Sequence, residues 1–591
     1  MVDEDHRSMR ERMESLPSGG VTYKTIKGHR YAYYQWRENG VQRSRRVHDE
    51  ELAVLLAQID ERKHLQALLT HKTTEAPSLA PEPELAMPSR TGVQLERFCR
   101  PVANWKRRAC FHQLKEYVYG EPDDRILILY GLRRTGKTTL VRQLIHEMPP
   151  AVRQHTAFLQ AGPGNTLADA NKDLRTLERL GYTNVFVDEV TLLDDFIEGA
   201  ALFSDVFAAS GMKIVLSGTD SLGFIFSEDE QLYDRCTLLH TTFVPYREFE
   251  EVLGIRGVDE FIRHGGTMVA GGSGYNRQGT FADARTAGVY VDSAIARNIQ
   301  HSLRNYQYGG HFRHLRELFE AGELTSAINR VVEDVNHEFT LEVLTRTFKS
   351  HDLGVSASNL RRDRTAPTDV LDRVDVPKVT ERLKRVLEIR DERERSVRID
   401  EAARGEIREY LDLLDLTVPI DVVSMRGGPS ETLTAIAQPG LRYAQADALV
   451  ESLIEDATFA EVPLVERTRI TQRIRQEIMG RMLEEIVLLE TKKARPNCEV
   501  FKLQFDVGEI DMVVFDRTSA SCELYEVKHS AMRHVSQYRH LADSEKGRGI
   551  ERRYGSITGR YVIYRGEHFE DGMVRYLNVE EYLKGLGEAS G

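Results

Sequence analysis

One segment restricts the possible folds of this chain more than any other: an apolar run passes directly into a glycine-rich loop and then into an amphipathic helix. Residues 125–130 read RILILY, a short strand of the buried type, and GLRRTGKTTLVRQL follows at once. Gly131, Gly136, Lys137 and Thr138 match the spacing G-x-x-x-x-G-K-[ST], which shapes a loop whose backbone amides surround phosphate groups. The segment therefore predicts a site for ATP or GTP at the edge of a parallel α/β sheet.

The polar residues of this loop have separate tasks in a phosphate site. We expect Lys137 to neutralise phosphate charge and Thr138 to bind Mg²⁺, while the dipole of the helix that begins at Lys137 adds positive potential. Thr139, the next helical residue, is predicted to contact the nucleotide as well.

A second apolar run, NVFVDEV, ends in the acidic pair Asp188 and Glu189. We expect Asp188 to hold Mg²⁺ through water and Glu189 to polarise the attacking water, although such a pair without the loop would be a solvated turn. A further strand, KIVLSGTDS, ends in small polar residues. Ser217, Thr219 or Asp220 is therefore expected beside Asp188 as a sensor of the terminal phosphate, with ordinary capping of the strand end as the alternative.

Length, composition and charge limit what surrounds this site. At roughly 100–200 residues per domain, 591 residues allow about three to five domains. The 92 acidic residues outnumber the 80 Lys and Arg residues, and the net charge of -12 excludes a uniformly basic surface for nucleic acid. The five cysteines show no CxxC spacing, and no apolar run reaches the roughly 18 residues of a membrane span, which predicts a reduced, cytoplasmic protein without a membrane segment.

Changes in composition along the chain divide it into five segments, which together predict an α/β protein. Residues 1–69 combine a basic aromatic β-hairpin with a helix, and residues 70–94 form a Pro-rich linker. Strand-like and helix-like runs alternate in 95–255, the pattern of a parallel sheet with crossover helices. Residues 256–465 are mostly helical, and residues 466–591 mix helices and strands.

The N-terminal hairpin carries a local positive charge within this acidic chain. Two β-rich runs meet at Asn39-Gly40, which favours a tight turn, and residues 23–48 contain seven Lys or Arg against one acidic residue, a net charge of +6. Strand alternation divides the side chains between two faces. One face has Tyr31, Tyr33, Gln35 and Arg37, and the other has Ala32, Tyr34 and Trp36. The hairpin is expected either to contact a phosphate backbone or to pack an aromatic face against the following helix.

Two strand-like runs near the C-terminus predict a second site. In EIDMVVFDRTSASCELYEVK, a hairpin symmetric about the bond between Thr518 and Ser519 places Asp511 directly opposite Glu526. Facing carboxylates repel each other unless a divalent cation lies between them. Lys528 lies on the same face as Glu526, so the segment assembles the D…E-x-K arrangement of PD-(D/E)xK nucleases, in which carboxylates bind Mg²⁺ and the lysine orients or deprotonates water.

The helical run GRMLEEIVLLE (480–490) offers a further carboxylate for this site. Either Glu484 or Glu485 completes it in this interpretation, and apolar residues on both sides leave the choice open. Glu485 stands in the predicted catalytic set, which is Glu189, Glu485, Asp511, Glu526 and Lys528. The alternative is a ladder of Glu and Lys on the surface without a metal.

In their order, these motifs resemble a family of prokaryotic AAA-type P-loop ATPases. The segments GLRRTGKTTLVRQL, FVDEV, KIVLSGTDS, LYDRC and FVPYREFEEVLG follow one another as the family's GPRQVGKTT, DEI, LTGSS, GR and PLSFxEF motifs do. The resemblance continues through YVDSAIARNI (290–299), EYLDLLDLTVPIDVV (409–423), GRMLEEIVLLE and the strands of the second site, and covers roughly residues 95–565. The basic hairpin lies outside it.

The resemblance implies a P-loop ATPase domain, a helical, winged-helix-like middle region and a C-terminal restriction-endonuclease-like fold. It also implies ATP and Mg²⁺ as cofactors, DNA as substrate, a homo-oligomer, and a role in prokaryotic mobile elements or antiviral defence. Arg235 in LYDRC is carried over as a nucleotide-sensing or finger arginine, although this chain has LYDR where the family has glycine and arginine. Arg133 and Arg134 stand in the loop where the family has one basic residue.

Together these features predict an ATP-binding and ATP-hydrolysing protein that controls a Mg²⁺-dependent nuclease-like domain acting on DNA. Two alternatives stay open from the sequence. In the first, a catalytically silent nuclease fold holds DNA or a partner protein under the control of ATP. In the second, a signalling ATPase has a protein partner only and shows no salt-dependent affinity for DNA.

Overall fold

The computed structural model divides the chain into two compact units, Met1–Glu84 and Leu85–Gly591. The ranges that it describes are 15–26, 29–38, 41–47, 84–121, 124–219, 232–268, 281–296, 312–347, 399–455 and 464–586, with gaps at 163, 194, 233, 242, 282 and 428–429. It also describes the isolated positions 51, 52, 54, 55, 58, 59, 62, 224 and 303.

The first unit contains an antiparallel sheet. Its described part has three strands in the order β1 (Gly19–Ile26), β2 (His29–Glu38) and β3 (Val41–Val47). The pairing of β2 with β3 confirms the predicted hairpin, whose Asn39-Gly40 turn lies outside the described residues. The sequence did not separate β1 from β2, because only two residues lie between these β-rich runs.

One face of this sheet is buried. The apolar cluster on that face consists of Ala32, Tyr34, Val47, Leu55 and Ile59. The ring of Trp36 stacks on Tyr34, with centroids 5.0 Å apart. Strand alternation assigns Ala32, Tyr34 and Trp36 to this face. The prediction that an aromatic face of the hairpin packs against the following segment is therefore confirmed for these residues.

The second unit begins with a mostly parallel sheet. Its described strands form a six-stranded sheet in the order β4-β6-β7-β8-β5-β9. The strands are β4 (Ser89–Arg90), β5 (Ile126–Tyr130), β6 (Thr156–Gln160), β7 (Asn184–Asp188), β8 (Lys213–Gly218) and β9 (Cys236–His240). β4 pairs antiparallel with β6, and the other pairings are parallel, which confirms the sheet type predicted for 95–255.

Helices follow most of these strands. They are α1 (Gly92–Cys99), α2 (Phe111–Tyr119), α3 (Lys137–Glu147), α4 (Pro150–Arg153), α5 (Leu167–Arg179), α6 (Phe196–Gly199), α7 (Tyr246–Leu253) and α8 (Val258–His264). A π-helical turn lies at Phe203–Ala208, and 3₁₀ turns lie at Arg100–Val102 and Val190–Leu192. Strands β5 to β8 are almost continuously apolar and buried because such a sheet is covered on both faces.

The middle of the chain is largely helical where it is described, as predicted. Its helices are α9 (Ala284–Tyr290), α10 (Arg313–Glu320), α11 (Leu324–Thr347), α12 (Glu401–Leu413) and α13 (Pro439–Glu455), with a π-helical turn at Val291–Ala296. It also contains β10 (Thr417–Ser424) and β11 (Glu431–Ile436), which form an antiparallel pair.

The C-terminal part is a mixed α/β module. Its strands are β12 (Glu499–Gln504), β13 (Glu509–Asp516), β14 (Ser521–Lys528), β15 (Ser556–Tyr564), β16 (Phe569–Asp571) and β17 (Val574–Asn578). Its helices are α14 (Leu464–Ala494), α15 (Ser544–Tyr554) and α16 (Val579–Gly585), with a 3₁₀ turn at Val535–Tyr538. No described helix, including the 31-residue α14, is long and apolar enough to cross a membrane.

The boundary predicted between residues 465 and 466 needs correction. β10 and β11 lie before it, yet the described strands form one eight-stranded sheet in the order β11-β10-β12-β13-β14-β15-β17-β16. β10 pairs in parallel with β12, for example Val422 with Lys502, and α14 crosses the predicted boundary. Pairing between strands so far apart in the chain leaves no local pattern, so the sequence did not reveal it.

One apolar core joins helices α7 and α8 to the C-terminal module. It contains Phe249 of α7, Phe261 of α8, Val450 of α13, Met482 of α14 and Tyr525 of β14, all buried. Helices α7 and α8 follow the last strand of the first sheet, and they pack directly against the C-terminal module. These two helices therefore connect the end of the first sheet to the module that carries the second predicted site.

Candidate functional site

The glycine-rich loop between β5 and α3 has a backbone shape that only glycine tolerates at two positions. Gly131 has a φ of +134°, and a Cβ there would lie 2.4 Å from the carbonyl oxygen of Thr241. Gly136, with a φ of +93°, is the N-cap of α3. The loop therefore approaches its neighbours closely, and α3 begins directly after it, the arrangement that binds phosphate.

Lys137 lies buried inside this loop. Its Nζ donates to the carbonyl oxygens of Gly131 (2.8 Å) and Leu132 (2.9 Å). Burial lowers the pKa of Lys137 to about 8, against the opposing effect of the Glu189 and Asp188 carboxylates. An ammonium group that is buried against carbonyl oxygens is suited to receive the charge of a phosphate group, so the loop fits a nucleotide.

Asp188 ends β7 beside the loop. Thr138 Oγ1 donates to its Oδ2 at 2.9 Å, and Ser217 Oγ donates to its Oδ1. The strand order places β8 between β5 and β7, which brings Ser217 at the end of β8 against Asp188. The hydroxyl and carboxylate oxygens of Thr138 and Asp188 are the ligands that Mg²⁺ prefers, so this pair fits a nucleotide-bound Mg²⁺.

Glu189 has a left-handed backbone conformation, with a φ of +53°. Such strain in a non-glycine residue costs of the order of 1–3 kcal/mol and tends to occur at functional sites. Burial raises the pKa of Glu189, and the neighbouring Asp188 carboxylate raises it further. Thr219 Oγ1 donates to Glu189 Oε2 at 3.3 Å, whereas Asp220 lies outside the described residues.

Thr139 and Arg235 have different relations to the loop. Thr139 is half-buried in the first turn of α3, directly after Thr138. Arg235 precedes β9, and its carbonyl oxygen accepts from the amide of Ile126, the first residue of β5. Its guanidinium pairs with Asp205 at 2.9 Å. Arg235 therefore lies at the opposite end of β5 from the loop, and a role in nucleotide sensing within this chain is not supported.

Sequence reasoning missed Arg108, a buried arginine that supports the loop. Its Nη1 donates to the carbonyl oxygen of Thr135 (2.8 Å), Nη2 to that of Phe243 (3.3 Å), and Nε to Glu248 Oε2 (2.5 Å). The guanidinium thus ties the loop to the start of α7. No motif marks Arg108, which precedes the loop in a basic stretch, KRRACFH, that resembles a solvated surface segment.

In the C-terminal sheet, the predicted hairpin register is confirmed. Met512 pairs with Tyr525 and Val513 with Leu524, which aligns Asp511 with Glu526. Lys528 Nζ lies 2.8 Å from Asp511 Oδ2 and 2.7 Å from Glu526 Oε2. The amide of Val527 also donates to Asp511 Oδ2 at 2.8 Å. We call these three side chains, Asp511, Glu526 and Lys528, the carboxylate–lysine cluster.

Burial and mutual charge set the protonation of this cluster. Burial alone would raise the pKa of Asp511, but the ammonium groups of Lys528 and Lys502 outweigh it and hold that pKa far below its ordinary value. Burial and the Asp511 carboxylate raise the pKa of Glu526 well above its ordinary value. Burial would lower the pKa of Lys528, yet the two carboxylates keep it raised. The three groups therefore titrate together, with Asp511 and Lys528 shifted toward their charged forms and Glu526 toward its neutral form.

The adjacent Glu484 and Glu485 of α14 point to different partners. Glu484 Oε2 accepts from Arg481 (2.5 Å) and from the buried Lys502 of β12 (3.4 Å), and its charge also acts on Lys528. Glu485 instead pairs with Arg442 of α13. The assignment of Glu485 therefore needs correction to Glu484, because adjacent residues on a helix lie about 100° apart and only one can face the C-terminal sheet.

A divalent cation is compatible with part of this arrangement. Glu526 Oε1 is buried and has no hydrogen-bond partner among the described residues, and Asp511 is ionised beside it. No group of three or more His, Cys, Asp or Glu side chains within the described ranges is arranged to hold a metal ion. The carboxylate pair therefore fits an ion that water would also ligate, and Lys528 lies between the same oxygens.

Comparison with known proteins identifies the first site. Residues 123–250 match the family model described as "AAA domain". No curated protein matches the chain. Among solved structures, the chain is similar to the Aeropyrum pernix Orc1 protein in complex with DNA, at 15% identity over 64% of this chain and 99% of that chain, with a TM-score of 0.21. That similarity is too weak to support an inference. The family match and the loop geometry together show that this part of the chain is a P-loop AAA ATPase domain.

Proposed function

We propose that this ATPase controls a Mg²⁺-dependent nuclease-like site, built on the carboxylate–lysine cluster, that acts on DNA. The observation that carries the proposal is the convergence of Asp511, Glu526 and Lys528, with the Lys528 ammonium within 2.8 Å of both carboxylates. Buried, mutually perturbed titratable groups of this kind cluster at functional sites. Their residue types and order match the D…E-x-K arrangement.

At the first site, the residues of the chain would bind and orient the nucleotide. Thr138 and Asp188 would hold Mg²⁺, which screens the charge of the phosphates. Lys137 would bind phosphate oxygens instead of the carbonyl oxygens that it now contacts. Glu189, whose raised pKa suits proton transfer, would orient the attacking water, and Ser217 would keep Asp188 in place.

At the second site, Asp511 and Glu526 would hold Mg²⁺, with Glu484 facing the same cluster from α14. The ion would supply a Lewis acid for a phosphodiester oxygen and make its bound water more acidic. Lys528 would orient the attacking water by hydrogen bonding. Lys502 would keep Asp511 ionised, since its ammonium group lowers the pKa of that carboxyl.

Other parts of the chain support DNA as the partner. The N-terminal segment 23–48 has a net charge of +6, and Arg43, Arg45 and Arg46 of β3 are exposed. We extend the proposal to a homo-oligomer in which Arg235 reaches a neighbouring nucleotide site, since it lies away from the loop of its own chain. A winged-helix-like middle region, a cytoplasmic location and a role in antiviral defence belong to the same proposal.

One observation favours a second candidate function, an ATP-driven binding switch with a silent nuclease fold. The Lys528 ammonium already contacts both carboxyl groups, and because Glu526 is shifted toward its neutral form, the cluster can balance its charge without a metal. Such a buried ion pair has a structural role in many proteins. In that case the C-terminal module would hold DNA or a partner protein, and ATP would control its affinity.

Cleavage of linear and circular DNA, measured with and without ATP and Mg²⁺, tests the proposal. We expect the wild-type protein to cleave DNA only with Mg²⁺ and Lys528→Ala to lose cleavage while ATP hydrolysis continues. Lys137→Ala should abolish ATP hydrolysis. Hydrolysis that persists in Lys137→Ala would remove the assigned nucleotide site. DNA binding without cleavage under every nucleotide condition would favour the silent switch instead.

A further inference from the structure

Helix α8 contacts the residue that directly follows Lys528. Oδ1 of Asp259 lies 2.8 Å from Nε2 of His529, and Oδ2 lies 3.0 Å from Nη2 of Arg565. The hydrogen bond from His529 holds the pKa of Asp259 below its usual range. β14 ends at Lys528, so this contact fixes the chain at the point where it leaves the sheet beside the carboxylate–lysine cluster.

The other end of α8 leads to the phosphate loop. The helix ends at His264, and the amide of Met268 donates to the carbonyl oxygen of Arg134 at 2.7 Å. A Cβ placed on Gly136 would lie 3.0 Å from the sulfur of Met268. The segment after α8 therefore lies against the part of the loop that must receive phosphate.

The connection between these two contacts leaves little room for independent movement. Gly266 has a φ of +104°, and a Cβ there would lie 2.5 Å from the Cα of Gln438. Phe261, in the middle of α8, is buried in the core shared with the C-terminal module. If nucleotide binding shifts the loop residues, the short segment between α8 and Met268 should not deform independently. The shift should therefore move α8 as a unit.

We infer that Asp259 is a positioning residue, which transmits the nucleotide state of the phosphate loop to Lys528 through His529. This inference rests on the proposed function for what the carboxylate–lysine cluster does. The coupling itself needs only the two contacts at the ends of the stretch 259–268. A contact that merely held the modules together would stabilise the fold without changing the response of the cluster to nucleotide.

Hydrogen exchange measured by mass spectrometry separates these roles, because it reads the segment around Lys528 without requiring cleavage. The probe is Mg²⁺ with a non-hydrolysable ATP analogue, and the peptide of interest spans residues 525–532. We expect the analogue to change the exchange rate of this peptide at least about fivefold in the full-length wild-type protein, the lower end of typical coupling between sites. Asp259→Asn should reduce the change to less than about twofold, since the charge that faces His529 is lost.

Glu260→Gln is the matched control, because Glu260 lies on the same helix and pairs within it, with Arg263 and His264. This variant should keep the full response. His529→Gln changes the other partner of the Asp259–His529 contact and should also reduce the response of the 525–532 peptide. Agreement between the two variants would show that the effect does not come from a folding defect specific to Asp259→Asn. A full response in Asp259→Asn, or no response in the wild-type protein, overturns the inference.

The outcomes for coupling and for cleavage are separable. If the wild-type protein never cleaves DNA but its 525–532 peptide responds to the analogue through Asp259, the nuclease proposal fails and the coupling stands. If it cleaves DNA and cleavage is equally dependent on ATP in Asp259→Asn, the nuclease proposal stands and the inference fails.

Discussion

Replacing Lys528 with methionine tests whether the carboxylate–lysine cluster is built for a cation. The change removes an ammonium group that bonds Asp511 at 2.8 Å and Glu526 at 2.7 Å, both of which are 4% exposed. Removing one partner of a buried ion pair costs roughly 3–5 kcal/mol. Because Lys502 still lowers the pKa of Asp511, we expect the lower end, about 3 kcal/mol of lost free energy of unfolding.

The informative comparison is between Mg²⁺ and a chelator. If the oxygens of Asp511 and Glu526 bind a divalent cation, Mg²⁺ should restore much of the stability of Lys528→Met. A ligand present at 100 times its dissociation constant stabilises the folded state by about 2.7 kcal/mol. Calorimetric unfolding, which resolves separate transitions in a multidomain chain, would measure the difference.

Lys584→Met is the matched control, since Lys584 pairs with Glu250 at 2.8 Å on a more exposed surface. It should cost less than about 1 kcal/mol, and Mg²⁺ should not affect that cost. Equal effects of Mg²⁺ on the two variants would refute the cation site and support a silent ion pair. No loss of stability in Lys528→Met with a chelator present would refute the electrostatic reasoning itself.

Three further predictions concern groups outside this cluster. Arg108→Gln should lower kcat/KM for ATP by about tenfold or more in a steady-state assay, because the loop carbonyl of Thr135 loses a buried donor; unchanged kinetics would contradict that role. Burial raises the pKa of Glu490 to about 8, above its value in the unfolded chain. The free energy of unfolding of the wild-type protein should therefore fall by up to roughly 4–5 kcal/mol as the pH rises from about 4.5 through 8. Unfolding measured as a function of pH should show this slope in the wild-type protein and not in Glu490→Gln. Glu484→Gln should reduce Mg²⁺-dependent cleavage more than Glu485→Gln does, because the main effect of Glu485→Gln should be lower stability. A larger loss of cleavage in Glu485→Gln would instead support Glu485 as the further carboxylate of the second site.

Local patterns were sufficient to predict the phosphate loop and the register of the C-terminal hairpin. The strand, loop and helix around Lys137 are contiguous, and the backbone shape depends on glycines whose spacing is visible in the chain. The register that aligns Asp511 with Glu526 follows from a short turn, so symmetry about Thr518 and Ser519 was enough to predict it. Contacts between residues that are close in the chain can be predicted because they depend on local sequence patterns.

Packing alone selected the partners from distant parts of the chain. It turned Glu484 rather than Glu485 toward the cluster, and it placed Arg108 under the phosphate loop. It also added β10 and β11 to the C-terminal sheet and brought Asp259 against His529. These contacts depend on how helices and sheets meet in three dimensions, which no periodicity within a single segment encodes.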